Sequence, residues 1–135
     1  MADIFTKKKR SEVMGKIRGK GTKIEKIVEK FLRKEGFHFQ THYRIAGCRP
    51  DIAFPKRKIA VFVDGDFWHG WQYPRWKKKL PAKYWQGKIE ANIRRDKRYF
   101  ARLRRRDWKV IRIWEHQLHR NTQANTFKKL IYRIH

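Results

Sequence analysis

Cysteine is almost missing from this chain: Cys48 stands alone among 135 residues. One thiol cannot make an internal disulfide or a thiolate zinc cluster, and it suits a reducing compartment. Long apolar runs are missing too, since none approaches the roughly 20 residues that span a bilayer. Met1 to Arg10 is basic but has no apolar centre of the kind a signal peptide needs. The expected location is therefore intracellular: cytoplasmic, and nucleoid-associated if the partner is DNA. Acidic residues are scarce, with 12 Asp and Glu against 37 Lys and Arg, a formal net charge of +25. Like charges at that density repel one another in a compact fold, so the excess points to a polyanionic partner. DNA or RNA is the default, although an anionic membrane surface or a ribosome would satisfy the charge alone.

Core-forming residues are plentiful. Apolar types make up 40% of the chain, including six Trp, nine Phe and five Tyr. The length suits one domain, and neither an internal repeat nor a dividing linker is visible. Residues 1–10 read as a flexible basic arm, and residues 11–135 as a single domain.

Ser11 can cap a short helix to about Arg18, which Gly19-Lys20-Gly21 ends. Thr22 and Glu25 have capping-box spacing. Behind them Ile24, Ile27, Val28, Phe31 and Leu32 recur at helical intervals up to a stop at Gly36. The period then changes. Phe37 to Tyr43 alternates loosely, Asp51 to Phe54 is short and apolar, and Ile59 to Val63 is a compact apolar run. Pro55-Lys56-Arg57-Lys58 makes a turn between the last two, giving an antiparallel hairpin.

Residues 64–82 form a loop rich in Gly, Pro and Trp. A long helix follows from about Ala82 to Arg106, with Trp85, Ile89, Ile93, Phe100 and Leu103 as its inner stripe. Trp108 to Trp114 reads as a strand buried on both faces. Thr122 caps a last helix that turns Phe127, Leu130, Ile131 and Ile134 inward. Helix, three strands, helix, strand, helix is an α/β order, and a crossover connection makes the sheet mixed, flanked by helices. Many α/β domains share that order, so function has to come from the side chains.

Pro50-Asp51 opens one hairpin strand and Asp64 closes the next, so pairing can place both carboxylates at one sheet edge. In so positive a field they could hold a divalent cation against a DNA phosphate. Equally, Asp51 could be a strand-end turn residue and Asp64-Gly65 an ordinary turn. His69 follows on a loop that could fold back over the carboxylates, where a neutral imidazole could accept a proton from water. In isolation such a histidine is more often an ordinary surface residue.

Taken together, Arg49-Pro50-Asp51, Phe67-Trp68-His69, Arg95-Asp96, Asp107-Trp108-Lys109-Val110 and Trp114-Glu115 resemble the very short patch repair (Vsr) endonucleases. The segment from Arg10-Ser11 to Met14 and the Thr22-x-x-Glu25 helix match as well, so the likeness runs from about Arg10 to Arg120. It implies a Vsr-type variant of the restriction-endonuclease-like, PD-(D/E)xK fold, and magnesium-dependent nicking of one strand at T:G mismatches, with one or two Mg2+ ions. It further implies that Asp51 is the central metal-binding aspartate and that the backbone carbonyl of Val63 is a ligand. His69 would be the general base, Glu25 would reach metal-bound water, and Asp96 would support the active site. Met14, Phe67 and Trp68 would form the apolar wedge that enters the base stack.

Simpler roles stand beside these. Glu25 is also the capping-box glutamate, Asp96 could pair with one of its many arginine neighbours, and Met14 and Phe67 could be core residues. The wedge is physically sensible, because opening a base step is least costly where pairing is already poor.

The chain departs from the resemblance in two places. Familiar members carry histidine where Asp64 stands, so Asp64 is expected to act as a direct metal ligand. Their structural zinc is held by cysteine and histidine, whereas the matching positions here are Asp66, Trp71, Tyr73 and His116. Tryptophan and tyrosine do not complete a zinc tetrahedron, so no structural zinc is expected. Trp71 and Tyr73 would fill the space by packing while Asp66 and His116 pair.

The loop from Trp71 to Trp85, with Arg75, Lys77, Lys78, Lys79 and Lys83, is either a DNA-contact surface or a packed loop with a solvated rim. The Arg102 to Arg106 run reads as a solvated or phosphate-facing helix side. The expected protein is a monomeric, metal-dependent endonuclease acting on double-stranded DNA. A sequence-specific nicking or restriction-type enzyme and a non-catalytic nucleic-acid-binding module are the alternatives.

Overall fold

The computed structural model describes residues 23–73 and 83–135. The basic arm, the short helix after Ser11, Thr22 and Met14 lie outside the described residues, as do Arg75 and Lys77 to Lys79 of the aromatic-basic loop. Helix α1, Lys23–Lys34, turns Glu25, Val28 and Leu32 inward, one residue per turn along a single stripe. It ends as the glycine signal requires. Gly36 is left-handed with φ 83°, Gly36 N–H donates to Arg33 O and Phe37 N–H to Leu32 O, each at 3.0 Å, a Schellman closure.

Strand β1, Ile52–Phe54, and strand β2, Ile59–Asp64, form the expected antiparallel hairpin, with Ile52 opposite Val61 and Phe54 opposite Ile59. The connection is a 3-10 turn, Pro55–Arg57, closed by Lys58 in the left-handed region. Helix α2, Lys83–Arg105, crosses over to strand β3, Lys109–Trp114. This strand pairs parallel to β2 from Ile59↔Lys109 to Asp64↔Trp114, giving the mixed sheet β1-β2-β3. Asp107 closes α2 where glycine would be usual. Its φ is 65°, and the N–H groups of Asp107 and Trp108 return to Arg104 O and Leu103 O. Aspartate tolerates that conformation better than most side chains. Helix α3, Gln123–Ile134, completes the chain.

Two expectations need correction. Phe37 to Tyr43 is not a strand: its backbone pairs with the sheet only at the Gln40↔Ala53 bridge, although Phe37 and Phe39 pack on Phe54. His42, two residues after the bridge, is left-handed, which ends extended backbone there. Thr122 sits at the N-cap position, but its hydroxyl donates backward to His116 O at 3.0 Å instead of capping α3. Strand β3 is buried on both faces as expected, with Val110 packed toward one layer and Ile111 and Ile113 toward the other, and Arg112 half-buried among them.

Strand alternation sorts the core into two layers. Ile52, Phe54, Ile59, Val61, Val63, Ile111 and Ile113 face α1 and α3, whose Phe31 and Phe127 rings stack at 3.9 Å. Ala53, Ala60, Phe62 and Val110 face α2, meeting Phe100 and Leu103. Leu32, Ile52, Ile89, Leu103 and Leu130 are fully buried, and each contributes roughly 1.5–3 kcal/mol through burial. No helix among the described residues is long and apolar enough to cross a membrane.

Candidate active site

The parity that sorts the core also assembles the site. Along β2, Ala60, Phe62 and Asp64 point to the α2 face, and on β3 Val110, Arg112 and Trp114 do the same. On α2 the inner stripe runs Trp85, Ile89, Ile93, Asp96, Phe100, Leu103 at three- and four-residue steps. Asp96 therefore points at the sheet end that carries Asp64 and Arg112.

His69 comes down onto the same spot from the turn after β2. That turn lies against α2 because Gly70, with φ 74°, leaves no Cβ to strike Ile93, whose Cδ1 would be 2.5 Å away. The Asn92 amide fixes it by donating to Trp68 O at 2.9 Å.

The result is a buried cluster around one imidazole. His69 Nδ1 donates to Asp96 Oδ2 at 2.7 Å, and His69 Nε2 lies 3.4 Å from Asp64 Oδ1. The short contact is at Nδ1 and an ionised carboxylate can only accept, so Nδ1 carries the hydrogen. A neutral ring then keeps its lone pair on Nε2, whose contact with Asp64 is longer. Arg112 closes the other side: Nε donates to Asp64 Oδ2 and Nη2 to Asp96 Oδ2, both at 2.8 Å. Asp64 and Asp96 are only 5% and 6% exposed. Burial pushes the Asp64 carboxyl up to about 6, against the pull of His69 and Arg112, while Asp96 and Asp51 add to the rise. Asp51 stands beside this group. Its Oδ2 accepts the Val63 N–H at 2.7 Å, tying it to the end of β2 next to Asp64.

Of the residues expected from sequence, Asp64, His69 and Asp96 are brought together, with one ligand atom of each within 4.8 Å of the others. Asp51 and Val63 are hydrogen-bonded neighbours at its edge. Glu25 is 8% exposed, on the inner stripe of α1. Phe67 is half-buried, edge-on to Trp68 at 5.0 Å and Trp85 at 5.9 Å, and Trp68 is buried behind it. Arg102 is tied down, donating to Ala46 O, whereas Arg104, Arg105 and Arg106 remain exposed.

Sequence reasoning missed Arg112 and Asn92. The sign of Arg112 was its parity, opposite to Ile111 and Ile113 in an otherwise apolar run. Hard oxygen donors dominate the group, which suits a magnesium-type ion better than a soft metal, so the residues fit the divalent cation that such chemistry uses.

Asp66, Trp71 and His116 pack together, whereas Tyr73 joins Trp68, Trp85 and Ile89. His116 Nδ1 and Asp66 Oδ1 are 2.9 Å apart, and Trp71 lies on the His116 ring at 4.0 Å between centroids. Tyr73 is buried, and burial together with the Glu90 carboxylate raises its hydroxyl above the usual range. A hydrogen bond and a ring contact thus join the β2 loop to the turn Glu115–Leu118.

The fold resembles the catalytic domain of the homing endonuclease I-Bth0305I, with a TM-score of 0.58 and 21% identity, over 84% of this chain and 94% of that one. A carboxylate–imidazole–carboxylate group stands at the sheet end of this fold, and the family and relatives that the sequence matches make the class a DNA endonuclease. The family described as DNA mismatch endonuclease Vsr matches residues 2–75, and the chain belongs to that family. It is 37% identical over 122 residues to the type II nicking enzyme V.NmeDIP of Neisseria meningitidis serogroup C, covering 89% of this chain and 82% of that protein. It is 33% identical over 118 residues to the DNA mismatch endonuclease Vsr of Escherichia coli strain K12, covering 85% of this chain and 74% of that protein.

Proposed function

We propose that this endonuclease, acting as a monomer, nicks one strand of duplex DNA at or beside a T:G-type mismatch in DNA repair. The observation that carries the reading is the imidazole of His69, fixed by Asp96 with its Nε2 turned to Asp64. A Mg2+ ion held by Asp51 and Asp64, with the Val63 carbonyl, would supply positive charge against the phosphate. Nε2 of His69 accepts the proton of the attacking water. Asp96 keeps the ring in the required tautomer, and Asp51 is oriented by the Val63 N–H. Glu25, buried on α1, is the residue that would reach metal-bound water.

Lysine and arginine in excess draw in the phosphate backbone, with Arg75, Lys77, Lys78 and Lys79 as contacts that position the duplex. Phe67, edge-on to Trp68, is the residue that would lead an apolar wedge, and the family resemblance assigns Met14 to the same role. Separating base pairs costs least at a mismatch, so a wedge selects weak steps without reading bases.

The name of the Neisseria meningitidis relative, a type II nicking enzyme, favours a second reading in which a matched sequence suffices. End-labelled duplexes of one sequence, matched or carrying each mismatch, separate the two when incubated with and without Mg2+ beside an Asp51→Ala control. Single-strand cutting beside T:G, dependent on Mg2+ and absent in the control, is expected. Equal cutting of the matched duplex would overturn mismatch dependence in favour of sequence-directed nicking.

A further inference from the structure

Arg112 has no role in the reaction above, yet its guanidinium stands inside the carboxylate cluster. Two of its nitrogens meet Asp64 Oδ2 and Asp96 Oδ2, each at 2.8 Å. Its flat faces are covered as well: the guanidinium carbon is 4.0 Å from the Trp114 ring centroid and 5.0 Å from that of Phe100. Arginine stays charged at any working pH, so it cannot leave by losing a proton. Swinging away would break two charge-assisted hydrogen bonds and two cation–π contacts together.

We propose that Arg112 is the resident cation of the Asp64–His69–Asp96 cluster, filling the place of a second divalent ion, so that the chain binds one metal ion, on the Asp51 side of Asp64. The inference rests on the reading of Asp51 and Asp64 as metal-holding residues.

The three ligand atoms that lie within 4.8 Å of one another look like a cation site by composition. Their hydrogen bonds describe a site already filled. Asp96 Oδ2 accepts from both His69 and Arg112, and Asp64 Oδ2 accepts from Arg112. A divalent ion there would lie against a fixed positive charge, a repulsion large enough to lower affinity by orders of magnitude. Asp64 Oδ1 makes no contact with Arg112 among these bonds and faces His69 instead, which leaves it to share an ion with Asp51.

Manganese binding to the full chain without DNA, followed by the electron paramagnetic resonance of free Mn2+, tests this directly. Wild type is expected to bind one ion per chain, Arg112→Gln to gain a second, and Arg112→Lys to stay at one. Two ions on wild type, or one ion on a folded Arg112→Gln protein, would overturn the inference. If Arg112→Gln does not fold, Asp96→Asn decides: the count stays at one if Arg112 fills the cluster, and binding weakens at least tenfold if a metal sits there. Asp51→Asn reports separately on the underlying reading. An ion retained by that variant refutes the metal placement while the effect of Arg112 on the count remains readable. Wild type binding no ion overturns both.

Discussion

Replacing Asp96 by asparagine removes one charge and no volume. The wild-type carboxylate is 6% exposed and accepts from His69 Nδ1 at 2.7 Å and Arg112 Nη2 at 2.8 Å. Each charge-assisted bond is worth roughly 1.5–3 kcal/mol, and the amide oxygen of Asn can keep one of them, so the expected stability loss is about 2–3 kcal/mol. The catalytic effect is larger. An amide can present either N–H or C=O to Nδ1, so the hydrogen is no longer confined to Nδ1 and the lone pair is no longer reserved for Nε2. General-base assistance is worth about 10²–10⁴-fold, and a comparable fall in kcat is expected.

Single-turnover cleavage of a nicked-product reporter duplex gives kcat, fluorescence anisotropy gives duplex binding, and thermal melting confirms the fold. Binding should change little, since Asp96 faces the cluster and not the solvent. The double variant Asp96→Asn/His69→Ala should be no slower than His69→Ala alone, because Asp96 acts through the ring. An Asp96→Asn protein that is folded and within about threefold of wild-type kcat would refute the positioning role. Additive losses in the double variant would show Asp96 acting independently of His69.

The raised Asp64 carboxyl fixes a pH dependence. Its ordinary value is 3.8 and its value in the metal-free fold is about 6, so below about 6 the group is protonated and an ion must displace that proton. Mn2+ affinity should be level above that point and fall about tenfold per pH unit below it, whereas Asp64→Asn should bind weakly with a flatter profile. Affinity unchanged between neutral pH and mildly acid pH would contradict Asp64 as a ligand. The Asp66–His116–Trp71 group predicts a fold indifferent to chelators. EDTA should leave the melting temperature unchanged, elemental analysis should find no stoichiometric zinc, and His116→Ala should cost about 1–2 kcal/mol through the lost hydrogen bond and ring contact.

Much of this architecture was legible because local patterns and tertiary packing agree. Residues Ile24 to Leu32 repeat at helical intervals and end at a glycine, and the hairpin has a proline turn between two short apolar runs. What failed depended on partners distant in sequence. Phe37 and Phe39 do pack inward as their alternation suggested, yet a ladder needs a receptive edge, and β1 is only three residues long. The inward turn of Asp96 was visible as the missing member of a stripe between Ile93 and Phe100. From sequence Asp96 was either a support of the active site, by resemblance, or the partner of a neighbouring arginine; the arginine it meets, Arg112, sits on a strand beyond the helix and could not be named.

The Asp64 departure and Arg112 are best understood as one feature. A carboxylate in place of the histidine seen in familiar members adds a negative charge beside buried Asp96, and an unpaired buried charge is strongly destabilising. Arg112 offsets both acids at once from the neighbouring strand. Restoring histidine alone should then do harm, because Asp64→His removes one acceptor of Arg112 and places a second ionisable base beside it. Arg112→Val alone should also do harm, since it leaves Asp64 and Asp96 facing each other without their shared counter-ion. Together the two changes remove one charge of each sign, and valine suits a half-buried strand position between Ile111 and Ile113. Thermal or urea unfolding of the four proteins should show the double variant more stable than the sum of the single losses, by about 1–3 kcal/mol. Strict additivity would mean that Asp64 and Arg112 are neighbours without energetic dependence, and that the charge of Asp64 is balanced elsewhere.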